Sequence, residues 1–215
     1  MSDKYLRQIV LEELDFEPSV DAANIGVAVE NGIVTLTGHV SSYAEKMAAE
    51  RAAQRVKGVH GIAEEIEVRY AADKKTADDQ IAERAVNIIG WDTQIPNNAV
   101  MVKVQKGWVT LTGAVDWNFQ KMAAESAIRK LSGVVGVSNQ ISVKPRLQTT
   151  DVKQKIVDAL KRNADIEADS IKVSVQGDKV KLEGKVKAWY ERNLIEHAAW
   201  SVPGVRAVED HLTLG

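Results

Sequence analysis

The sequence repeats itself, and the repetition limits the folds open to the chain. The pattern V-x-L-x-G occurs three times, the second copy 75 residues after the first and the third 71 residues after the second. The three copies are Val34–Gly38, Val109–Gly113 and Val180–Gly184. Recurrence at a nearly constant spacing is typical of tandem copies of one structural unit. We therefore predict three modules, at residues 1–70, 77–145 and 148–215.

Within each copy the hydrophobic period changes in the same order. Apolar residues first recur at helical spacing, as in Leu6, Val10 and Leu14, and two alternating runs then follow with a turn between them. A second helical stripe and a last alternating run complete the copy. This order predicts an α+β fold of three tandem two-layer modules, each α-β-β-α-β with a three-stranded mixed sheet covered on one face by two helices.

The second helix of each module carries a stripe that we expect to face the sheet. Ser42 and Glu45 have the spacing of a capping box at the start of the first of these helices. The predicted inward residues are Ala44, Ala48, Ala52 and Val56 in copy one, Phe119, Ala123, Ala127 and Leu131 in copy two, and Tyr190, Leu194, Ala198 and Val202 in copy three.

Each copy resembles the BON domain. The similarity rests on the hairpin that ends in V-x-L-x-G, on the Ala-rich second helix, and on a closing pattern G-V-x-x-V-x-[N/D/E]-x-[I/L]-x-[V/L] at residues 58–68, 133–143 and 204–214. The first copy departs from this pattern with Ile62 and Glu64, where Val and Asn are usual. The resemblance implies a non-enzymatic attachment or ligand-binding module, associated with phospholipid or the cell envelope and with osmotic stress. A cytoplasmic relative looks like a potassium binder, so potassium is the one cofactor that the resemblance suggests.

Composition excludes several classes of protein. A formal charge of −2 over 215 residues argues against a globally basic nucleic-acid binder, so we expect no nucleic-acid partner. The absence of cysteine excludes disulfides, thiolate metal sites and a cysteine nucleophile. The first residues lack the apolar stretch of a secretory signal, and no apolar run approaches the roughly 18 residues of a membrane span. We therefore expect a cytoplasmic protein that is not transmembrane, and a periplasmic one only if a leader has been removed.

No sequence motif for catalysis or for a metal stands out. The four histidines occupy unrelated positions in the copies, and neither a phosphate-binding glycine fingerprint nor G-x-S-x-G occurs. Repeated chemistry would repeat its residues, so we predict that the protein is not an enzyme and holds no metal site.

The glycines that end the V-x-L-x-G pattern have two interpretations. They are structural residues where the second strand bends into the second helix, or places where a ligand approaches the backbone. We favour the structural interpretation for all three, which are Gly38, Gly113 and Gly184.

One polar position in the last strand keeps step with the inward-facing apolar residues. It is occupied by Glu64, Asn139 and Asp210 in the three copies. A side-chain oxygen there needs a hydrogen-bond partner, which favours a structural bond to nearby backbone. The same oxygen, together with neighbouring carbonyls, can instead hold a hard cation such as potassium.

Aromatic residues with nearby cations mark the start of each second helix. Tryptophan beside a cation is typical of a membrane interface or a protein contact. The alternative that we favour is that these rings pack between modules or cover the first turn of the helix. The residues are Tyr43 with Lys46, Trp117 with Lys121, and Trp189 with Arg192. The formal charge is −5 over residues 1–72, +3 over 73–147 and 0 over 148–215, so an anionic lipid surface would prefer the middle copy.

The residues and the resemblance together favour a non-enzymatic binding protein, attached to phospholipid or another envelope component in osmotic or general stress. Two other hypotheses stay open. One is a cytoplasmic sensor of potassium or a small ligand, and the other is a scaffold whose sheet faces bind protein partners.

Overall fold

The computed structural model describes residues 2–71, 76–144, 152–163, 170–203 and 205–214. Gly204 of the closing pattern and the predicted module ends at 1, 145, 148 and 215 lie outside these ranges. Packing separates the chain into two compact units, which are Met1–Gly113 with Lys121–Ile141 and Ala114–Gln120 with Ser142–Gly215. The first unit holds module one and most of module two, and the second holds module three.

Module one has its second strand in the middle of the sheet. Its elements are α1 (Asp3–Phe16), a 3-10 turn (Ala22–Asn24), β1 (Ile25–Glu30), β2 (Ile33–Val40), α2 (Tyr43–Arg55) and β3 (Gly61–Val68). β1 pairs antiparallel and β3 parallel with β2. Leu6, Val10 and Leu14 of α1 share one buried cluster with Val34 and Leu36 of β2 and with the alanines of α2, so both helices cover the same face of the sheet.

Modules two and three repeat this arrangement around β5 and β9. Module two consists of α3 (Asp78–Trp91), β4 (Val100–Gln105), β5 (Trp108–Val115), α4 (Asn118–Arg129), β6 (Gly136–Asn139) and β7 (Ser142–Val143). Module three consists of α5 (Val152–Lys161), β8 (Ile171–Gln176), β9 (Lys179–Val186), α6 (Trp189–Trp200) and β10 (Ala207–Leu214). The predicted α+β class, with mixed sheets and six helices, is confirmed. In module two the closing strand is divided into β6 and β7, and both segments pair parallel with β5.

The predicted inward stripe of the second helix is wrong by one residue within α4 and α6, although Val202, which follows α6, is buried as predicted. Phe119 and Tyr190, expected to face the sheet, are exposed. The buried residues are instead Ala124 and Ile128 on α4, and Glu191, Ile195 and Ala199 on α6. In module one Ala48 and Ala52 are buried as expected, together with Glu45, Ala49 and Ala53.

An acidic or amide side chain in the first turn determines which face of the second helix is buried. The Glu45 carboxylate accepts hydrogen bonds from the backbone N–H groups of Ser41 and Asp21, both at 2.9 Å, so it points inward. Gln120 and Glu191 accept equivalent bonds from the backbone just before α4 and α6. The three residues are separated by the repeat spacings of 75 and 71, and that spacing is the sequence signal that identifies them.

Gly113 lies inside the second strand and not at its end. The strand continues to Val115, so the predicted bend into the helix is not at this glycine. Its φ is +131°, and a Cβ would lie 2.1 Å from the carbonyl oxygen of Ala99, the residue just before β4. Glycine is required by both constraints, because L residues avoid this φ and no side chain fits the space. Gly38 and Gly184 repeat the arrangement at φ +107° and +144°.

Candidate functional site

The polar position of the last strand is bonded within the protein in modules one and three. Glu64 Oε1 accepts a hydrogen bond at 2.8 Å from the backbone N–H two residues later, and its Oε2 lies 2.7 Å from Lys46 Nζ. Asp210 accepts the same backbone bond at 2.8 Å and pairs with Arg192. Lys46 and Arg192 occupy equivalent positions on their helices. A potassium ion at either site would have to displace the paired Lys46 or Arg192 side chain. The potassium hypothesis stays a prediction, which titration with potassium tests.

Module two differs because Asn139 replaces the acid. Its Oδ1 accepts from the backbone N–H of Ile141 at 3.3 Å, and its Nδ2 donates to the Lys121 carbonyl oxygen at 2.9 Å and to Glu125 Oε2 at 3.0 Å. Module two therefore has a neutral amide at the position where module one has a carboxylate. This exchange is one source of the positive balance of module two.

Arg192→Met should lower the stability of module three. The Asp210 side chain is only 14% exposed, and a carboxylate left without its charged partner costs about 1–3 kcal/mol. Urea unfolding measures the loss. The control is Lys181→Met, because Lys181 pairs with Glu183 in an exposed bridge that contributes little, and its midpoint should hardly move. Equal losses in the two variants would contradict this assignment.

Tyr43 lies where modules one and two meet within the first unit. It is half-buried, burial raises the pKa of its hydroxyl, and it interacts with Arg129 and the Val137 backbone of module two. The Tyr70 hydroxyl donates to the Val134 carbonyl oxygen at 2.7 Å at the same contact. The structure thus places Tyr43 against the neighbouring module, and Lys46 on Glu64.

Trp117 and Trp189 are half-buried and have aromatic or cationic neighbours. Trp189 begins α6, and the Arg192 guanidinium lies 5.2 Å from its ring centroid. Trp117 precedes α4, and its ring stacks with that of Phe119 at a centroid distance of 6.5 Å. Arg192 therefore contacts both Trp189 and Asp210, so its charge is used inside module three.

Module two carries most of the large apolar side chains that the described residues expose. Six of ten lie there: Val86, Trp91, Met101, Trp108, Phe119 and Met122. Isolated exposed apolar residues are normal, whereas a contiguous apolar patch is typical of an interaction surface.

Three of the exposed residues of module two lie together on the uncovered face of its sheet. We call Met101, Lys103 and Trp108 the module-two sheet face. Their side chains project away from the helices because residues alternate along β4 and β5. Met101 is 66% and Trp108 51% exposed. In the antiparallel register Lys103 lies between Met101 and Trp108 on this face, two residues along the strands from each of them. The Trp108 ring lies over Gly136, where a Cβ would come within 2.3 Å of it.

The same positions in the other modules have different chemistry. Module one has Gly26, Ala28 and Ile33 there, and module three has Lys172, Ser174 and Lys179. In module three the uncovered face also carries ion pairs, such as Lys172 with Glu183 and Lys179 with Glu209. The combination of tryptophan, methionine and lysine is thus particular to module two. The aromatic and cationic residues predicted from the sequence do not include these three, although strand alternation alone places all three on one face.

Within the described ranges, no helix has both the length and the apolar character needed to cross a bilayer. The same residues contain no group of three or more His, Asp or Glu side chains arranged to hold a metal ion.

Three α-β-β-α-β units in series define a tandem protein of small two-layer domains. The chain belongs to the BON domain family, whose model matches residues 2–70, 77–145 and 148–215.

The chain is similar to osmotically-inducible protein Y of Escherichia coli strain K12. The two are 29% identical over an alignment of 153 residues, and the match covers 67% of this chain and 74% of the relative. Comparison with solved structures finds CdsD, a structural protein of the type III secretion system of Chlamydia trachomatis, at 13% identity and a TM-score of 0.27 over 98% of this chain and 92% of that one. A structure of the CdsD C-terminal domain matches at 12% identity and a TM-score of 0.28, with full coverage of both chains.

Proposed function

We propose that this protein is a non-enzymatic attachment protein of the osmotic-stress response and that it binds anionic phospholipid surfaces through the module-two sheet face. The observation that carries the proposal is the exposure of Trp108 and Met101 beside Lys103 on a sheet face that no helix in the described part of the chain covers. The name of the Escherichia coli relative supports the stress context.

The chemistry of this face suits the boundary between lipid headgroups and acyl chains. Tryptophan prefers that boundary because its ring is apolar and its N–H is polar, and methionine adds flexible apolar contact. Lys103 on the face and Lys106 in the adjacent turn are exposed, and each lysine near an anionic surface contributes about 1 kcal/mol. The +3 balance of residues 73–147 adds to this attraction.

Co-sedimentation with vesicles tests the proposal. The full chain should bind vesicles that contain phosphatidylglycerol and should bind pure phosphatidylcholine vesicles much more weakly. Raising the salt concentration should weaken binding, because exposed charges are screened over about 8 Å at physiological ionic strength. Binding that is independent of lipid charge and of salt, or no binding at all, would contradict the proposal.

A further inference from the structure

A groove runs between the two helices of module three. Lys155 and Ala159 lie on one face of α5, and Arg162 follows the end of that helix. Opposite them are His197 on α6 and Ser201, the residue that caps the C-terminus of α6. The groove encloses about 480 Å³, a size typical of small-molecule sites.

In module one, ion pairs bridge the two helices at the corresponding positions. There, Arg55 Nη2 lies 2.9 Å from Glu13 Oε1 and 3.0 Å from Glu17 Oε2, so two ion pairs tie α2 to α1. The three equivalent positions in module three, 146 residues later, hold Ser201, Ala159 and Asn163. The Ser201 hydroxyl donates within its own helix, to the His197 carbonyl oxygen at 2.8 Å. Module three therefore has neutral residues at the positions where module one has the arginine and both glutamates of its ion pairs.

The lining of the groove combines an apolar floor with a basic rim. Leu194, Ala198 and Val202 form part of the floor. The rim has two cations, Lys155 and Arg162, against one acid, Asp158, whose Oδ1 already accepts a hydrogen bond from the Gln154 amide at 2.8 Å. Cations beside an apolar floor favour a ligand that has an anionic group on an apolar body.

We propose that this groove binds a small ligand with one phosphate or carboxylate group on a short apolar chain. The site is separate from the module-two sheet face, and it takes single ligand molecules where that face takes a bilayer. The proposal therefore does not depend on membrane attachment.

Calorimetric titration of the full chain tests the ligand class. Octyl phosphate, kept below its micelle concentration, should bind saturably at one site per chain. Inorganic phosphate lacks the apolar chain and octyl glucoside lacks the charge, so each should bind at least about tenfold more weakly. Equal affinity for either of these compounds, or no saturable binding of octyl phosphate, would overturn the proposal.

Two variants locate the binding. Ala159→Glu combined with Ser201→Arg rebuilds the ion pair of module one across the groove and should weaken octyl phosphate binding at least about tenfold. Arg162→Gln removes a rim cation without filling the groove and should weaken binding about tenfold, so the test does not depend on the folding of the double variant. Lys57→Gln removes an exposed cation of module one and should leave the affinity unchanged. Full affinity in either groove variant would overturn the proposal.

Discussion

Gly113→Val should unfold module two while module three keeps its own unfolding transition. Valine at φ +131° is strained by about 1–3 kcal/mol, and its Cβ would overlap the Ala99 carbonyl oxygen at 2.1 Å, which adds a cost of similar size. A module of about 70 residues has a total stability of roughly 3.5–10 kcal/mol, so the substitution removes much or all of it. Hydrogen exchange read by mass spectrometry reports the modules separately and should show lost protection in β4 and β5.

Gly90→Val is the matched control. Gly90 lies in α3 of the same module, and a Cβ there would meet nothing within 4 Å. Valine is at least as good a helix former as glycine, so this variant should keep the stability of the parent chain. Native protection in Gly113→Val would show that the close approach between β5 and the residue before β4 is not needed for folding.

Met101→Glu should abolish most of the binding to anionic vesicles. The change removes an apolar contact of about 1.5–3 kcal/mol and places a negative charge beside Lys103, which cancels about 1 kcal/mol of attraction. Together these losses lower the vesicle affinity about a hundredfold. Met101 is 66% exposed, so the fold should be stable to within about 0.5 kcal/mol.

Lys172→Glu is the control for this prediction. Lys172 occupies the position in module three that Met101 occupies in module two, and its side chain is 76% exposed. The substitution lowers the net charge by two, whereas Met101→Glu lowers it by one. If total charge governed attachment, Lys172→Glu would therefore have the larger effect. Attachment through the module-two sheet face predicts the opposite order.

The sequence predicts the architecture because the same pattern occurs three times. One copy of V-x-L-x-G is weak, whereas three copies at nearly constant spacing place the hairpin, the second helix and the closing strand in each module. The phase of the second helix is harder to predict, because alanine is compatible with a buried or an exposed position. The buried face is determined by the side chains of Gln120 and Glu191, which point inward. They do so because they accept hydrogen bonds from backbone N–H groups before the helix.

The candidate site was less predictable because it depends on contacts between elements. Tyr43 and Trp117 look alike in the sequence, but Tyr43 contacts module two while Trp117 stacks on Phe119. The pairing of Lys46 with Glu64 follows from the parallel β2–β3 register and the position of α2, which no local pattern gives. Met101, Lys103 and Trp108 could have been grouped, since strand alternation alone places them on the uncovered face.

A fluorophore placed on the module-two sheet face tests the central claim most directly. The chain has no cysteine, so Met101→Cys gives a single site for an environment-sensitive label such as NBD, and Lys172→Cys gives the matched site in module three. With phosphatidylglycerol vesicles, the label at 101 should shift to the blue and gain intensity as it enters the lipid interface, while the label at 172 keeps its aqueous spectrum. An aqueous spectrum at 101 under conditions where the chain co-sediments with vesicles would contradict attachment through this face.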